Sequence, residues 1–334
     1  MSRNIGCRVC DEFIYRGSRL LVMENELLRI SVLLDKGSDI IEFLHKPTDT
    51  DFMWRSPMAH VNMYKYLQSI PNAIDFRDYY MGGWQEIFPV GGAGFDLSGA
   101  RIGNHGEVWG LPWKCQIIKD ETDEIQVKLW AHTIRTPFYI EKVLILRRNS
   151  PVLLIREKVQ NLGMIDLGVM WGHHPAFGES FLDEDCVVTV PARCFVDQEN
   201  HCYSWPIHQG TDFSRVLPRG SDKWNMFFLQ DLSDGWYAVL NQKKRLGFGM
   251  VWEKSLFKYV WFWGCYNYTN VSPWYGRAYT IAVEPFTSLP YALDPSTLCT
   301  IPAGQSLTTE VAALVVEDKT CVEAITPQGE VVGR

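Results

Sequence analysis

Hydrophobic and polar positions alternate with a period of two along most of the chain. In Ile125-Gln126-Val127-Lys128-Leu129 every second residue is apolar, Tyr139 to Leu146 is rich in strand-forming residues, Val152 to Val159 follows the turn Asn149-Ser150-Pro151, and Leu307 to Val316 sets Thr and Glu against apolar positions. Successive side chains of a strand point to opposite faces, so this alternation predicts half-buried antiparallel strands. Lys36-Gly37-Ser38, Lys46-Pro47-Thr48, Asn161-Leu162-Gly163 and Pro327-Gln328-Gly329 place turn residues between the apolar runs. No long segment carries the 3.6-residue period of an amphipathic helix. The predicted fold class is all-β, a large antiparallel β-sandwich.

Two stretches break the pattern. Leu67 to Gly94 holds Pro71, the acidic and aromatic run Asp75 to Tyr80, and glycines at 82, 83, 91, 92 and 94; Asp197 to Lys223 is the second. Compact domains seldom carry structureless connections of this length, so the first predicts a site element or a lid. No linker rich in Ser, Pro or charge divides the chain, and no repeat is visible, which predicts one continuous domain over residues 1–334.

Composition narrows the function. With 46% hydrophobic and 13% aromatic residues in 334, a core can form without metal or disulfide staples. A net charge of −7 argues against nucleic acid, whose phosphates are held by clustered Lys and Arg. No window approaches the ~18 apolar residues of a membrane helix, since the aromatic run Tyr259 to Tyr268 is broken by Gly264 and Asn267. Nine cysteines, an odd number, and no signal-type apolar core after Met1 lead to the expectation of a reducing, cytoplasmic protein. Cys7 and Cys10 form one C-x-x-C with no second pair to complete a four-ligand metal site. The expected partner is a small, neutral or mildly polar molecule, with no nucleic acid and no membrane. The oligomeric state is left open.

The candidate chemistry lies in three short motifs: Asn104-His105-Gly106-Glu107, Gly172-His173-His174-Pro175 and Val283-Glu284-Pro285. Imidazole and carboxyl groups are the ordinary proton carriers near neutral pH, and nearby tryptophans offer flat faces to sugar rings. Glu284 ends an apolar strand pattern, where partial desolvation would make it a stronger base; the alternative is a strand-end carboxylate paired with Arg277. His173 and His174 sit in extended chain before a proline, so they point to opposite faces and only one readily enters a given pocket. His174 is the chosen one. The alternative for either is a core histidine bonded to backbone. Beside His105, Gly106 allows a ligand close to the backbone, and Trp109 and Trp113 offer apolar faces. A zinc held by His105, Glu107, His174 and Glu284 is disfavoured, because their spacing matches no compact ligand motif. Of Trp252, Trp261, Trp263 and Trp274, most are expected in the core, and His201 and His208 at the surface.

With these residues in hand, the chain resembles the galactose mutarotase-like (aldose 1-epimerase) superfamily. The resemblance rests on Leu28 to Ile41 as an opening hairpin, His105-Gly106, the element from Val159-Gln-Asn-Leu-Gly163 to His174-Pro-Ala-Phe177, and Glu284-Pro285, in that order. It implies a β-supersandwich that interconverts sugar anomers without a cofactor. Carried over by motif, Glu284 would be the catalytic base and His174 the acid, with His105 on the substrate. In place of the family's Asn-Arg-Ile segment stands Tyr79-Tyr-Met-Gly-Gly-Trp-Gln-Glu-Ile-Phe-Pro89, from which Trp84, Gln85 and Glu86 would line the pocket. Trp84, Gln85, His105, Glu107, Trp109, His173 and Phe177 are the expected substrate contacts, and Arg77 and Arg101 are candidate anion contacts.

Two other readings stay open. The same residues could serve a non-catalytic sugar-binding or sensing protein. A glycoside-cleaving enzyme would need a second carboxylate across the scissile bond, for which Glu86 and Glu107 are candidates.

Overall fold

The computed structural model describes residues 3–57 and 76–334. Two antiparallel sheets dominate. The larger has twelve strands, running in space from Arg8–Tyr15 through Ser18–Glu24, Leu28–Leu33, Asp39–His45, Trp84–Ile87, Gly172–Phe177, Tyr279–Phe286, Tyr259–Tyr266, Lys223–Gln230 and Cys194–Val196 to Cys202–Ser204, with Thr50–Asp51 paired to Asp39–His45. The smaller has eight, ordered Cys186–Thr189, Trp236–Asn241, Leu246–Trp252, Ser306–Glu317, Val152–Asn161, Phe138–Arg147, Glu124–His132 and Lys114–Asp120.

The four strands legible as alternation all fall in the smaller sheet. In Glu124–His132 Ile125, Val127, Leu129 and Ala131 are buried and the residues between them are partly exposed, because one face packs inward and the other meets solvent. The strands at the centre of the larger sheet read differently. Gly172–Phe177 and Tyr279–Phe286 are buried at every position, being covered on both faces, and so lack alternation. Between the sheets lies the main core, which includes Phe43, Phe177, Tyr237 and Phe248. On the opposite face of the large sheet a second apolar cluster, with Phe76, Tyr80, Trp261, Trp263 and Trp274, builds the walls of a cleft.

The predicted irregular stretch Leu67 to Gly94 is corrected in part. Residues 67–75 lie outside the described residues, but Trp84–Ile87 is a strand of the large sheet, bridging Asp39–His45 to Gly172–Phe177. Its Trp-Gln-Glu-Ile has no turn-free flanks, since Gly82 and Gly83 precede it with positive φ and Pro89 follows. The second stretch contains the Cys202–Ser204 strand and a small hairpin of Ile207–His208 with Thr211–Asp212. Among the described residues no helix is long and apolar enough to cross a membrane, and all nine cysteines are free thiols.

Candidate active site

His174 and Glu284 face each other across neighbouring strands. The pairs Gly172 with Phe286 and Ala176 with Ala282 fix the register, which sets position 174 opposite 284 with both side chains on the cleft face. His174 Nε2 lies 3.5 Å from Glu284 Oε1, and the two residues are only 4% and 1% exposed. On its other side His174 Nδ1 is 3.3 Å from the Tyr80 hydroxyl. Among the described residues Glu284 Oε2 has no hydrogen-bond partner. Burial raises the Glu284 carboxyl well above its usual range and lowers the His174 imidazole to about 4, because the aromatic walls solvate neither charge.

His105 reaches the same cleft from a turn. Its backbone lies in the left-handed region at φ 61°, followed by Gly106 at 82°. A side chain at 106 would meet the Phe88 carbonyl oxygen at 2.3 Å, so glycine is required there. The Gly92 N–H donates to His105 Nδ1, which leaves the ring proton on Nε2 of the neutral imidazole. Burial, together with the charges of His174 and Arg77, holds this imidazole well below its usual range. The rings of His105 and His174 are 5.4 Å apart.

Around these three groups the cleft encloses about 370 Å³. Asn104, Arg77 and Gln198 also line it, with Trp224, Trp261, Trp263 and Trp274 among the walls. Gln198 comes from the turn between Cys194–Val196 and Cys202–Ser204, so the second irregular stretch does reach the site. Trp263 and Trp274 pack at 5.3 Å. More of the late tryptophans face ligand space than expected: Trp261, Trp263 and Trp274 do, and Trp252 is in the core. Trp224, Met226 and Phe228 look like any apolar strand residues in the sequence, whereas Tyr80 closes the Asp75 to Tyr80 run of the first irregular stretch.

Six expected contacts do not line the cleft. His173 points to the other face of its strand, as alternation demands, and receives the Trp84 indole N–H on Nδ1 at 3.2 Å while Nε2 meets Glu157 at 3.1 Å. Trp84 and Phe177 share that inner face and pack against Phe248. Gln85 shares the face of His174 but is wholly buried, its amide donating to the Gly82 carbonyl and to Asp39. Trp109 backs the wall, edge-on to Phe76, with its N–H on the Gly106 carbonyl. Glu107 turns away and accepts from the N–H groups of Ile134 and Arg135 and from the Thr136 hydroxyl. Arg77 lines the cleft, whereas Arg101 does not. His201 and Asp197 pair in the exposed turn beyond Gln198.

Glu86 is also on the inner face, where it meets Lys142 at 3.4 Å and accepts from the Trp171 indole. Burial pushes the neighbouring Glu157 up to about 7, helped by the Glu86 charge. In Glu86 the opposing charges of His173 and Lys142 outweigh burial and hold the carboxyl below its usual value. Glu86, Glu157 and His173 bring one ligand atom each within 4.8 Å of the others. The donor set does not suit a cation. Lys142 already lies against Glu86, and both ring nitrogens of His173 are taken, one by the Trp84 indole N–H and the other by Glu157.

A family model described as a domain of unknown function, DUF4432, matches residues 15–314. The chain belongs to the DUF4432 family. No curated protein matches it in sequence. Among solved structures, this DUF4432 chain is similar to the Slr1438 protein of Synechocystis sp. PCC 6803, at 18% identity over 95% of this chain and 100% of that one, with a TM-score of 0.65. It is also similar to a galactose mutarotase-like protein of Clostridium acetobutylicum, at 15% identity over 93% and 99% of the two chains, with a TM-score of 0.69. A third is a candidate aldose 1-epimerase of Klebsiella pneumoniae, at 14% identity over 93% and 83%, with a TM-score of 0.71. At these identities the likeness is one of fold, and the fold is galactose mutarotase-like.

Proposed function

We propose that this DUF4432 protein interconverts the anomers of a free sugar, with Glu284 and His174 as the proton-transferring pair. The observation that carries the reading is their 3.5 Å approach on facing strands at the floor of a concave, aromatic-walled cleft. The reaction needs one base and one acid at once. Glu284 takes the proton of the anomeric hydroxyl, His174 delivers one to the ring oxygen, and the bond between that oxygen and C1 breaks to leave an open-chain aldehyde. Rotation about C1–C2 and the reverse transfers close the ring as the other anomer.

Between about pH 4 and the raised value of Glu284 the pair holds a single proton, which burial places on the carboxyl. Catalysis requires it on the imidazole. A substrate hydroxyl donating to Glu284 favours the carboxylate and so drives the proton toward His174. His105, with its proton on Nε2, is a neutral donor to a sugar oxygen.

The sugar-binding reading uses the same residues as hydrogen-bonding groups only. The glycosidase reading loses support, because Glu284 is the one carboxylate among the described residues that line the cleft. NMR exchange between anomeric protons, over a panel of free sugars with Glu284→Gln as control, tests the proposal. Faster exchange lost in the variant is expected. Ligand-induced shifts with no acceleration for any sugar would replace catalysis by binding.

A further inference from the structure

The tryptophans of the cleft differ in what they do with their polar edge. The Trp261 indole N–H donates to the Ser288 carbonyl at 3.0 Å, and the Trp109 N–H donates to the Gly106 carbonyl at 3.1 Å. Elsewhere Trp113, Trp205 and Trp252 place theirs on the carbonyls of Val108, Val190 and Phe257. Trp274 departs from this habit. It lines the cleft and is 4% exposed, yet its Nε1 is buried with no hydrogen-bond partner among the described residues. An indole N–H can only donate, and one withdrawn from water without an acceptor loses a hydrogen bond that folding does not replace.

The ring is also held in place. The Trp274 N–H donates to the Val271 carbonyl at 3.2 Å and its carbonyl accepts from the Arg277 N–H at 3.0 Å, while Asn267 ties the ends of the same loop to the carbonyls of Ala278 and Gly276. Its side chain packs against Trp263, Trp54 and Tyr80, with ring centres 5.3, 6.1 and 6.4 Å away. A ring packed on these sides has little freedom to turn its N–H toward a protein acceptor, and the cleft is where one can enter. Trp263 and Tyr80 are in turn ring neighbours of His174, at 6.0 and 5.3 Å. Trp274 therefore belongs to the second rank of rings around the proton-transfer pair, placed for a part of the ligand other than its reacting atoms.

We propose that Trp274 is a binding residue of this site, its indole N–H donating to a hydroxyl oxygen of the sugar away from the anomeric carbon. This rests on the sugar reading of the cleft and adds to it a residue that fixes orientation. Glu284 Oε2 is likewise buried without a partner among the described residues, so the bound sugar would be held by an acceptor at its anomeric hydroxyl and a donor at another.

The test follows indole N–H cross-peaks in heteronuclear NMR spectra as glucose or galactose is added, with the Trp274 peak assigned by its loss in Trp274→Phe. That peak should move downfield on binding, and the Trp261 peak, already bonded to Ser288, should move much less. The same sugars and their 2-, 3-, 4- and 6-deoxy forms are then compared in the parent protein and in Trp274→Phe. One deoxy form should fall roughly ten- to a hundredfold below its parent sugar in kcat/KM, and Trp274→Phe should bring the two within a few-fold of each other. A variant that weakens every sugar by one common factor, or a Trp274 peak that stays still while a sugar binds, would overturn the proposal. Binding without anomeric exchange would refute catalysis alone, and the comparison would then be read from dissociation constants in the same titrations. Absence of both exchange and binding would refute the sugar reading and this assignment with it.

Discussion

His105 and Gly92 hold each other by two reciprocal hydrogen bonds. The His105 N–H donates to the Gly92 carbonyl at 3.0 Å, and the Gly92 N–H donates to His105 Nδ1 at 3.1 Å. One contact fixes where the residue is and the other fixes its tautomer. A left-handed backbone at a non-glycine residue is costly, and it persists here because the surrounding contacts over-determine it.

Glu107 supplies one of those constraints from a distance. Its carboxylate ties the His105 turn to residues 134–136 by three hydrogen bonds. Glu107→Ala should destabilise the fold by on the order of 2 kcal/mol. It should also lower kcat more than it raises KM, since His105 would be misplaced and the cleft otherwise intact. Thermal unfolding and steady-state kinetics check both, and Glu107→Gln should restore part of the loss.

Glu284→Gln keeps the shape of the buried carboxyl and removes its basicity. Turnover should fall by roughly 10²- to 10⁴-fold, the usual worth of a positioned general base, while sugar binding stays within a few-fold. Unchanged turnover would exclude Glu284 as the base.

The pH dependence of kcat/KM should be bell-shaped. Below about 4 both members of the pair carry protons and no base is left; above the raised value of Glu284 both have lost them and no acid is left. The basic limb therefore belongs to a carboxyl displaced far above its ordinary range, and Glu284→Asp should move that limb. A single acidic optimum without a basic limb would contradict this assignment.

His174 links stability to pH with a definite sign. Its folded value is about 4 against 6.5 when exposed, so its contribution is complete above pH 6.5 and is lost as pH falls from there toward 4. The loss amounts to roughly 3 kcal/mol over that window. Urea unfolding of His174→Asn should accordingly show a flatter decline between pH 6.5 and 4 than the parent protein.

On the inner face, His173 and Lys142 together keep Glu86 ionised at 1% exposure. Lys142→Met should cost about 3 to 5 kcal/mol by leaving a buried charge unbalanced, and adding Glu86→Gln should recover much of it. Denaturant midpoints of the single and double variants measure the difference.

The four strands of the smaller sheet were legible in the sequence because each has a wet face along at least part of its length, up to Glu310 in Ser306–Glu317, and a wet face writes itself as alternation. Trp84–Ile87 was not, since a four-residue strand buried on both sides leaves no such pattern. Within the site, a period of two was enough to say that only one of His173 and His174 can face the cleft. Their motifs likewise marked His105 and Glu284 as candidates. What local pattern cannot carry is which strands become neighbours. The opposition of residues 174 and 284, the departure of Glu107 toward residues 134–136, and the gathering of Met226, Phe228 and Trp261 into one wall all depend on pairings between segments far apart in the chain. Sequence determined the chemistry on offer and the face each side chain takes along its strand. The tertiary structure decided which of these groups meet and which are buried, and through burial it set the protonation of Glu284 and His174.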